Sequence, residues 1–181
     1  MIFEEKKITL KDGRTAVLKS PCVEDAEKML NYIKISCAET DYLMRYPEEW
    51  CITVEQEAAW VERMRTNGDC LAITCYVGGE VAGNCEIRFK NGMKTSHRAN
   101  IGIALLRDYW NLGIGSAMFE EIIIAAKNRG IEILELEYLE GNERGRALYE
   151  KFGFQIVCER PRAVKLKDGT YKNEIFMQKY L

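Results

Sequence analysis

Residues 110–116, Trp-Asn-Leu-Gly-Ile-Gly-Ser, lie between a predicted strand and a predicted helix and are the part of the sequence best suited to bind an anion. At such a junction the first backbone N–H groups of the helix lack helical partners, and the helix dipole adds partial positive charge. Gly113 and Gly115 would let a phosphate reach the backbone without meeting a Cβ atom. The segment therefore predicts a phosphate site on the amides of residues 112–116.

Other loops that bind phosphate fit this segment less well. A Walker loop ends in Gly-Lys-Ser or Gly-Lys-Thr, whereas Ser116 directly follows Gly115. A dinucleotide-binding loop needs a third glycine, and Met118 occupies that position. For the loop taken alone, a strand-to-helix turn without any ligand remains an equal alternative.

A second pattern lies downstream, where Asn142 precedes a predicted helix that carries Leu148 and Tyr149 and ends before Gly153. This pattern resembles the Asn-x-x-Ala-x-x-Leu-Tyr-x-x-x-Gly-Phe motif of the GNAT superfamily of N-acetyltransferases. The glycine loop also resembles that superfamily's Arg/Gln-x-x-Gly-x-Gly/Ala loop, which follows a strand and precedes a helix. The two motifs fall in the expected order and separation, so each supports the other.

Two residues depart from the superfamily's motifs. Trp110 stands where Arg or Gln is usual, at a position whose backbone matters more than its side chain. Gly145 replaces the usual Ala and should weaken its helix by about 1 kcal/mol. The resemblance is most specific over residues 97–160, and the order of the predicted elements extends it over the whole chain.

The resemblance implies an acetyl-CoA-dependent N-acyltransferase that moves an acetyl group from the thioester to a primary amine by direct transfer in a ternary complex. The amine would belong to a small molecule or to a peptide or protein N-terminus. The residues implied to bind acetyl-CoA are Ile103, Ala104, Leu105, Asn111, Leu112, Gly113, Ile114, Gly115, Ser116, Asn142 and Tyr149. Asn142 fits a helix N-cap equally well. The alternative functions are a catalytically silent acyl-CoA-binding or regulatory domain and a nucleotide-binding module.

Tyr149 matches the residue that serves the superfamily as general acid. The ordinary pKa of tyrosine, about 10, lies above the thiol value of about 8.5, so Tyr149 would stay protonated and could donate to the departing thiolate. A backbone N–H near Leu105 is expected to polarise the thioester carbonyl. The competing interpretation of Tyr149 is packing beside Leu148 and Phe152 in the core.

The general base is the least determined part of the predicted site. Many members of the superfamily carry Glu on the central strand, where this chain has Asn100, which has no titratable group. Glu86 on the neighbouring strand is the predicted substitute, with a solvated strand carboxylate as an equal alternative. His97 has a suitable ordinary pKa but is expected at the edge of its strand, and a water chain is the remaining alternative.

The composition argues against several other classes of protein. The chain has 181 residues, of which 47% are hydrophobic and 30% charged, which is typical of one globular domain. A net charge of −2 argues against nucleic acid as a partner. Because no signal peptide or membrane span is evident, we expect a cytoplasmic protein without a membrane partner. Seven cysteines without Cys-x-x-Cys spacing predict neither a disulfide framework nor a metal site.

The order of the predicted elements indicates the fold class. Two early helices, a strand meander and a strand–helix–strand–helix–strand–strand series predict one α/β (α+β) domain over residues 1–181. We expect a central mixed, mostly antiparallel twisted sheet flanked by helices, and the resemblance adds splayed central strands that hold the cofactor. Residues 39–51 and the C-terminal hairpin are expected to line the acceptor site. Because many members of the superfamily dimerise, a homodimer is a further expectation.

The second predicted helix begins with a recognisable local motif. Thr53 and Gln56 fit a capping box, in which each side chain bonds the other residue's backbone N–H. The spacing then predicts a buried stripe formed by Ala59, Trp60 and Met64.

Overall fold

Eight strands form a single open sheet in the computed structural model, which describes all of residues 1–181. The strands are β1 (Lys6–Thr9), β2 (Thr15–Lys19), β3 (Cys70–Val77), β4 (Glu80–Phe89), β5 (Arg98–Leu105), β6 (Ile133–Leu139), β7 (Gln155–Lys165) and β8 (Tyr171–Tyr180). The helices are α1 (Ala26–Glu39), α2 (Val54–Thr66), α3 (Ile114–Asn128) and α4 (Glu143–Lys151). None of these helices combines the length and apolarity needed to cross a membrane.

The two central strands, β5 and β6, separate along their length. The strand order is β1-β2-β3-β4-β5-β6-β8-β7, and each neighbouring pair is antiparallel except β5 with β6. β5 pairs with β6 only where residues 98–100 meet residues 133–135. Beyond this point β5 keeps its partner β4 but has an open edge toward β6. We call this opening the splay, with a closed end at residues 98–100 and an open end at residues 103–105.

Different helices cover the two faces of the sheet. On one face, here the α3 face, Phe119 of α3 enters the main apolar core together with Tyr149 of α4. On the other, the α1 face, α1 buries Tyr32 and α2 buries Met64 in smaller clusters. The mixed, mostly antiparallel sheet with flanking helices and splayed central strands confirms the predicted fold class.

Local sequence motifs at the helix ends have the predicted geometry. The Thr53 hydroxyl accepts from the Gln56 N–H at 3.3 Å, and the Gln56 side chain accepts from the Thr53 N–H at 2.9 Å. α3 ends just before Gly130, whose φ of +72° is the left-handed conformation that terminates many helices. These motifs depend on residues close in sequence, which is why the sequence alone predicts them.

The predicted buried stripe of α2 is wrong in part. Glu57, Val61 and Met64 are buried, whereas Ala59 is exposed and Trp60 is half-buried. The predicted stripe left out Glu57 and Val61, which share the buried face of the helix with Met64. Burial raises the pKa of the Glu57 carboxyl and so favours its neutral form.

Candidate active site

The open edge of β5 directs unpaired backbone groups into the splay. In an antiparallel pair, alternate residues direct their N–H and C=O groups toward the partner strand. Leu106 donates its N–H to the Ala82 carbonyl at 3.0 Å, which assigns the even-numbered residues of β5 to β4. Ile103 and Leu105 therefore direct their backbone groups toward the splay, where the pantetheine arm is predicted to lie.

Trp110 ties the glycine loop to the end of β5. Its indole N–H donates to the Leu105 carbonyl at 2.8 Å. The Arg144 guanidinium lies over the indole ring, 4.3 Å from its centroid. The sequence motif gives this side chain no role, but in the structure its hydrogen bond satisfies the Leu105 carbonyl. The Leu105 N–H stays on the open edge, where the polarising amide is expected.

The glycine loop presents uncapped amides to open space. Gly113 is the N-cap of α3 with φ +95° and offers no side-chain cap. The first helical hydrogen bond runs from the Ala117 N–H to the Gly113 carbonyl, so the N–H groups of residues 114–116 have no helical acceptor. A Cβ built on Gly113 would meet no atom within 4 Å. The loop therefore has the geometry that a phosphate requires.

Gly115 also lacks the space for a side chain. A Cβ built on it would lie 3.1 Å from Leu148, 3.5 Å from Leu105 and 3.8 Å from Ile103 side-chain atoms. These neighbours belong to α4 and β5, so the missing side chain allows close packing, and binding of a phosphate by the Gly115 N–H stays a prediction. The two glycines of the motif thus differ in their surroundings. Gly113 leaves open space beside the free amides, whereas Gly115 lets α3 pack closely against α4 and β5.

Asn142 caps α4, as one of its two predicted interpretations requires. Its Oδ1 accepts from the Gly145 N–H at 3.0 Å. A Cβ built on Gly145 would lie 2.8 Å from the Asn142 side-chain nitrogen. The departure from the superfamily's alanine therefore makes room for the cap. Contact between Asn142 and acetyl-CoA stays a prediction.

Two cationic side chains of α4 frame the loop. Arg144 donates to the Asn111 side-chain oxygen at 2.9 Å, and Lys151 donates to the Ser116 hydroxyl at 2.8 Å. Both residues are exposed, and they place positive charge on either side of the open amides. Such charge favours a phosphorylated ligand. Neither residue was predicted from the sequence, because the helix motif leaves both positions unspecified.

Tyr149 lies in an aromatic cluster on the α3 face. Its ring centroid is 5.7 Å from that of Phe119 and 5.8 Å from that of Tyr138, and the residue is 6% exposed. Burial, followed by the effect of nearby Cys85, raises the pKa of the Tyr149 hydroxyl well above its ordinary value. The hydroxyl therefore stays protonated at neutral pH. Packing in the core and proton donation are thus compatible, and the catalytic role stays a prediction.

Glu86 lies on the α1 face of β4, opposite Gly102 of β5 and Ala72 of β3. Its side chain is 21% exposed, and its Oε1 lies 2.7 Å from the Arg88 guanidinium. Burial raises the pKa of the Glu86 carboxyl, and Arg88 opposes part of this effect. The carboxylate is therefore more basic than a solvated one, as a general base requires.

Glu86 and Tyr149 approach the splay from opposite faces of the sheet. Cys85 belongs to the same α3-face core as Tyr149. Because successive strand residues point to opposite faces, Glu86 points to the α1 face. Since β5 and β6 are unpaired at the open end, the two faces communicate there. An acyl group in the splay could meet a proton donor from one side and an amine from the other.

His97, the other residue considered for the base, lies near the closed end, as does Asn100. The His97 carbonyl accepts from the N–H groups of Glu132 and Ile133, just before β5 begins. At about 3.3 Å per strand residue, His97 is roughly 25 Å from Leu105. It lies at the strand's edge, as predicted, and too far from the open end to act as base. Asn100 is paired with Glu135, where the strands are still joined.

The segment between α1 and α2 bridges the ends of the strands around the splay. Its contacts, in chain order, are Glu39 Oε2 with the Arg107 N–H (2.7 Å), the Tyr42 hydroxyl with the Gly141 carbonyl (2.7 Å), and the Tyr46 hydroxyl with the Lys167 N–H (2.9 Å). These partners follow β5, follow β6 and lie in the turn between β7 and β8. The segment and the C-terminal hairpin therefore meet beside the open end, consistent with the predicted acceptor site.

A mixed sheet with a splay, and a phosphate-type loop beside its open edge, define a protein that can hold an extended phosphorylated ligand between two strands. The model of the acetyltransferase (GNAT) family matches residues 36–154. This match spans more than half of the chain, and the chain belongs to that family.

Individual proteins agree with this assignment. The L-amino acid N-acetyltransferase AaaT of Escherichia coli (strain K12) is 26% identical over 136 residues, which cover 72% of this chain and 83% of that protein. A GNAT-family acetyltransferase of Streptococcus pneumoniae matches with a TM-score of 0.85 and 23% identity, over 92% of this chain and 99% of that one. The yncA protein of Salmonella typhimurium, solved with its cofactor acetyl-CoA, matches with a TM-score of 0.79 and 15% identity, over 92% and 94%. The predicted family and enzyme class, an acetyl-CoA-dependent N-acetyltransferase, are confirmed.

Proposed function

We propose that this enzyme holds acetyl-CoA in the splay and transfers its acetyl group to a primary amine that approaches from the α1 face. The main support for the proposal is that two sets of backbone groups without hydrogen-bond partners lie next to each other. The open amides of residues 114–116 adjoin the open edge of β5 at residues 103–105. The pyrophosphate would bind residues 111–116, and the pantetheine arm would pair with Ile103 and Leu105 beside Ala104.

The chain's own groups supply the three tasks of acyl transfer. As the amine nitrogen bonds the thioester carbon, the Leu105 N–H would stabilise the negative charge on the carbonyl oxygen. As the carbon–sulfur bond breaks, the protonated hydroxyl of Tyr149 would donate its proton to the thiolate. Glu86, whose pKa burial raises, would accept the proton that the amine loses. The products are an amide and a free thiol.

The acceptor we favour is an α-amine. The relative from Escherichia coli is named for acetylation of L-amino acids. At a peptide N-terminus the α-amino group has a pKa of about 7.7–8.0, against about 10.4 for a lysine side chain, so more of it is neutral at pH 7. A single carboxylate such as Glu86 suffices for so weakly basic an amine. A panel of amines assayed by thiol release should therefore show faster turnover of α-amines than of lysine side-chain analogues.

We also propose that residues 1–181 act as one domain. The family match leaves out β1, β2, β7 and β8, yet all four strands belong to the same sheet as the splay. The seven cysteines are free thiols, which fits a reducing compartment such as the cytoplasm.

The placement of acetyl-CoA is tested at Gly113. Valine there should weaken acetyl-CoA binding about tenfold or more in calorimetry, because its side chain would fill the space in front of the open amides. Gly169→Val is the matched control, since Gly169 has φ +88°, has open space around it and lies in the β7–β8 turn. It carries the same backbone strain without touching the loop. Equal affinity in the two folded variants would contradict the placement.

A further inference from the structure

A tyrosine of α1 is inserted into the β4–β5 ladder at the open end of the splay. The Tyr32 hydroxyl donates to the Ala104 carbonyl at 2.8 Å and accepts from the Asn84 N–H at 3.2 Å. Asn84 and Ala104 are partners in register, and the alternation of the ladder directs their backbone groups toward each other. The hydroxyl therefore bridges two groups that would otherwise bond directly.

The neighbouring register pair is also irregular. A Cβ built on Gly83 would lie 2.1 Å from a Leu105 methyl carbon and 2.8 Å from the Ala104 carbonyl oxygen. β5 therefore leans over β4 at this point, and only glycine leaves the space for it. The bridge and the close approach act on consecutive pairs, Asn84 with Ala104 and Gly83 with Leu105. Both lie where β5 has lost its partner β6.

The position of Tyr32 is itself held firmly. The residue is 4% exposed and packs in a cluster with Met29, Tyr76 and Val81. Burial raises the pKa of the Tyr32 hydroxyl, which therefore keeps its proton and its donor role toward Ala104. Its bridging geometry is consequently a fixed feature of the site rather than one of several rotamers on a surface.

We propose that Tyr32 is a positioning residue for acyl transfer, whose bridge sets the path of β5 at Ala104 and with it the direction of the Leu105 N–H. The proposal rests on the placement of acetyl-CoA in the splay. Both hydrogen bonds of the Tyr32 hydroxyl are to backbone groups, so it acts through the path of the strands. Catalytic groups need alignment to within fractions of an ångström, and an error of about 1 Å can cost about 10²-fold in rate.

The test is Tyr32→Phe, which keeps the ring and removes the bridge. The Asn84 N–H and the Ala104 carbonyl can then bond each other, so the end of β5 should move toward β4. We expect kcat to fall by between about tenfold and 10²-fold. Affinity for the nucleotide fragment of CoA that keeps the pyrophosphate but lacks the pantetheine arm should stay at the wild-type value, because α3 holds the loop. Amide exchange at Asn84 should change in the absence of any ligand.

Tyr76→Phe is the matched control, because Tyr76 belongs to the same cluster and its buried hydroxyl forms no hydrogen bond with the β4–β5 ladder. It should keep wild-type kcat, and its melting temperature sets the reference for losing a buried hydroxyl nearby. Wild-type kcat in Tyr32→Phe would overturn the proposal. The proposal would also be overturned if Tyr32→Phe lost fragment affinity to the same extent as kcat and had a lower melting temperature than Tyr76→Phe, since the role would then be structural only. If the wild-type enzyme bound neither acetyl-CoA nor the fragment, the proposed function itself would fail.

Discussion

The two ends of β5 are held by contrasting kinds of contact. At the closed end, the buried carboxylate of Glu135 gathers partners from the surrounding chain. These partners are Lys90 at 2.6 Å, Gln178 at 2.9 Å and Arg98. At the open end, β5 has no pairing with β6 and is held by the neutral donors of Tyr32 and Trp110.

This difference indicates that the closed end serves to join the strands, whereas the open end serves the reaction. Glu135 is 1% exposed, and a buried charge is tolerated only when its partners satisfy it. The carboxylate therefore holds β5, β6 and β8 in one register at the closed end. The open end leaves backbone groups unsatisfied, which a protein rarely does without a ligand to complete them. We expect changes at the closed end to lower stability, and changes at the open end to lower the rate.

The largest effect is expected at Glu135. Leucine there removes the charge that Lys90 and Arg98 share, and breaking a buried ion pair costs about 3–5 kcal/mol. The free energy of unfolding, measured by denaturant titration, should fall to that extent, while the kcat of the folded fraction is kept. Lys6→Met is the control, because Lys6 pairs with Glu121 from an exposed position and its loss should barely move the midpoint. A stability loss no larger than the control's would break the contrast between the two ends.

Tyr149→Phe should give the largest effect on rate. The ring keeps its packing with Phe119 and Tyr138, so stability should change little. Loss of the proton donor should lower kcat by about 10²-fold, the low end for general acid catalysis. Stopped-flow measurement of acetyl transfer, under conditions where chemistry limits the rate, is the appropriate assay. Wild-type kcat in this variant would show that Tyr149 is only a packing residue of the core.

Gly83→Ala is expected to lower both stability and rate, because Gly83 packs against β5 at the open end. The new Cβ would press on the Ala104 carbonyl and the Leu105 backbone, and overpacking of this kind costs about 1–3 kcal/mol. Gly102→Ala is the control for stability, since its Cβ would meet the nearest atom, in Glu86, only at 3.8 Å. Thermal unfolding should separate the two variants clearly. Equal melting temperatures would show that β5 adjusts freely at the open end.

Glu86→Gln should give the smallest effect, about tenfold in kcat near pH 7, because an α-amine is already partly neutral there. Burial raises the pKa of Glu86, so the wild-type rate should fall as pH decreases through that raised value and the carboxylate is protonated. The variant should lack this dependence and recover at high pH, where the free amine dominates. Glu80→Gln, an exposed change at the start of β4, controls for loss of a carboxylate. Identical pH profiles for Glu86→Gln and wild type would assign the proton to water or to the free amine.

The sequence by itself determined the features that depend on neighbours along the chain. The Thr53–Gln56 capping box and the Asn142 cap each depend on two residues three positions apart. Periodicity, together with turn and capping residues, predicted the eight strands and four α-helices, because period 2 and period 3.6 are set by backbone geometry. Two short motifs then predicted the family, which the match over residues 36–154 confirmed.

Only the tertiary structure decided how distant residues meet. Tyr32 and Ala104 are 72 positions apart, and Lys90 and Glu135 are 45 apart, so no local pattern predicts either contact. Glu57 shows the same limit, because its carboxylate is buried by the packing of α2 on the rest of the domain. The tertiary structure also decided which face of the sheet each predicted catalytic residue occupies, through strand register for Glu86 and through the packing of α4 for Tyr149. A backbone repeat fixes where a side chain points relative to its neighbours, whereas only the folded chain decides what lies in front of it.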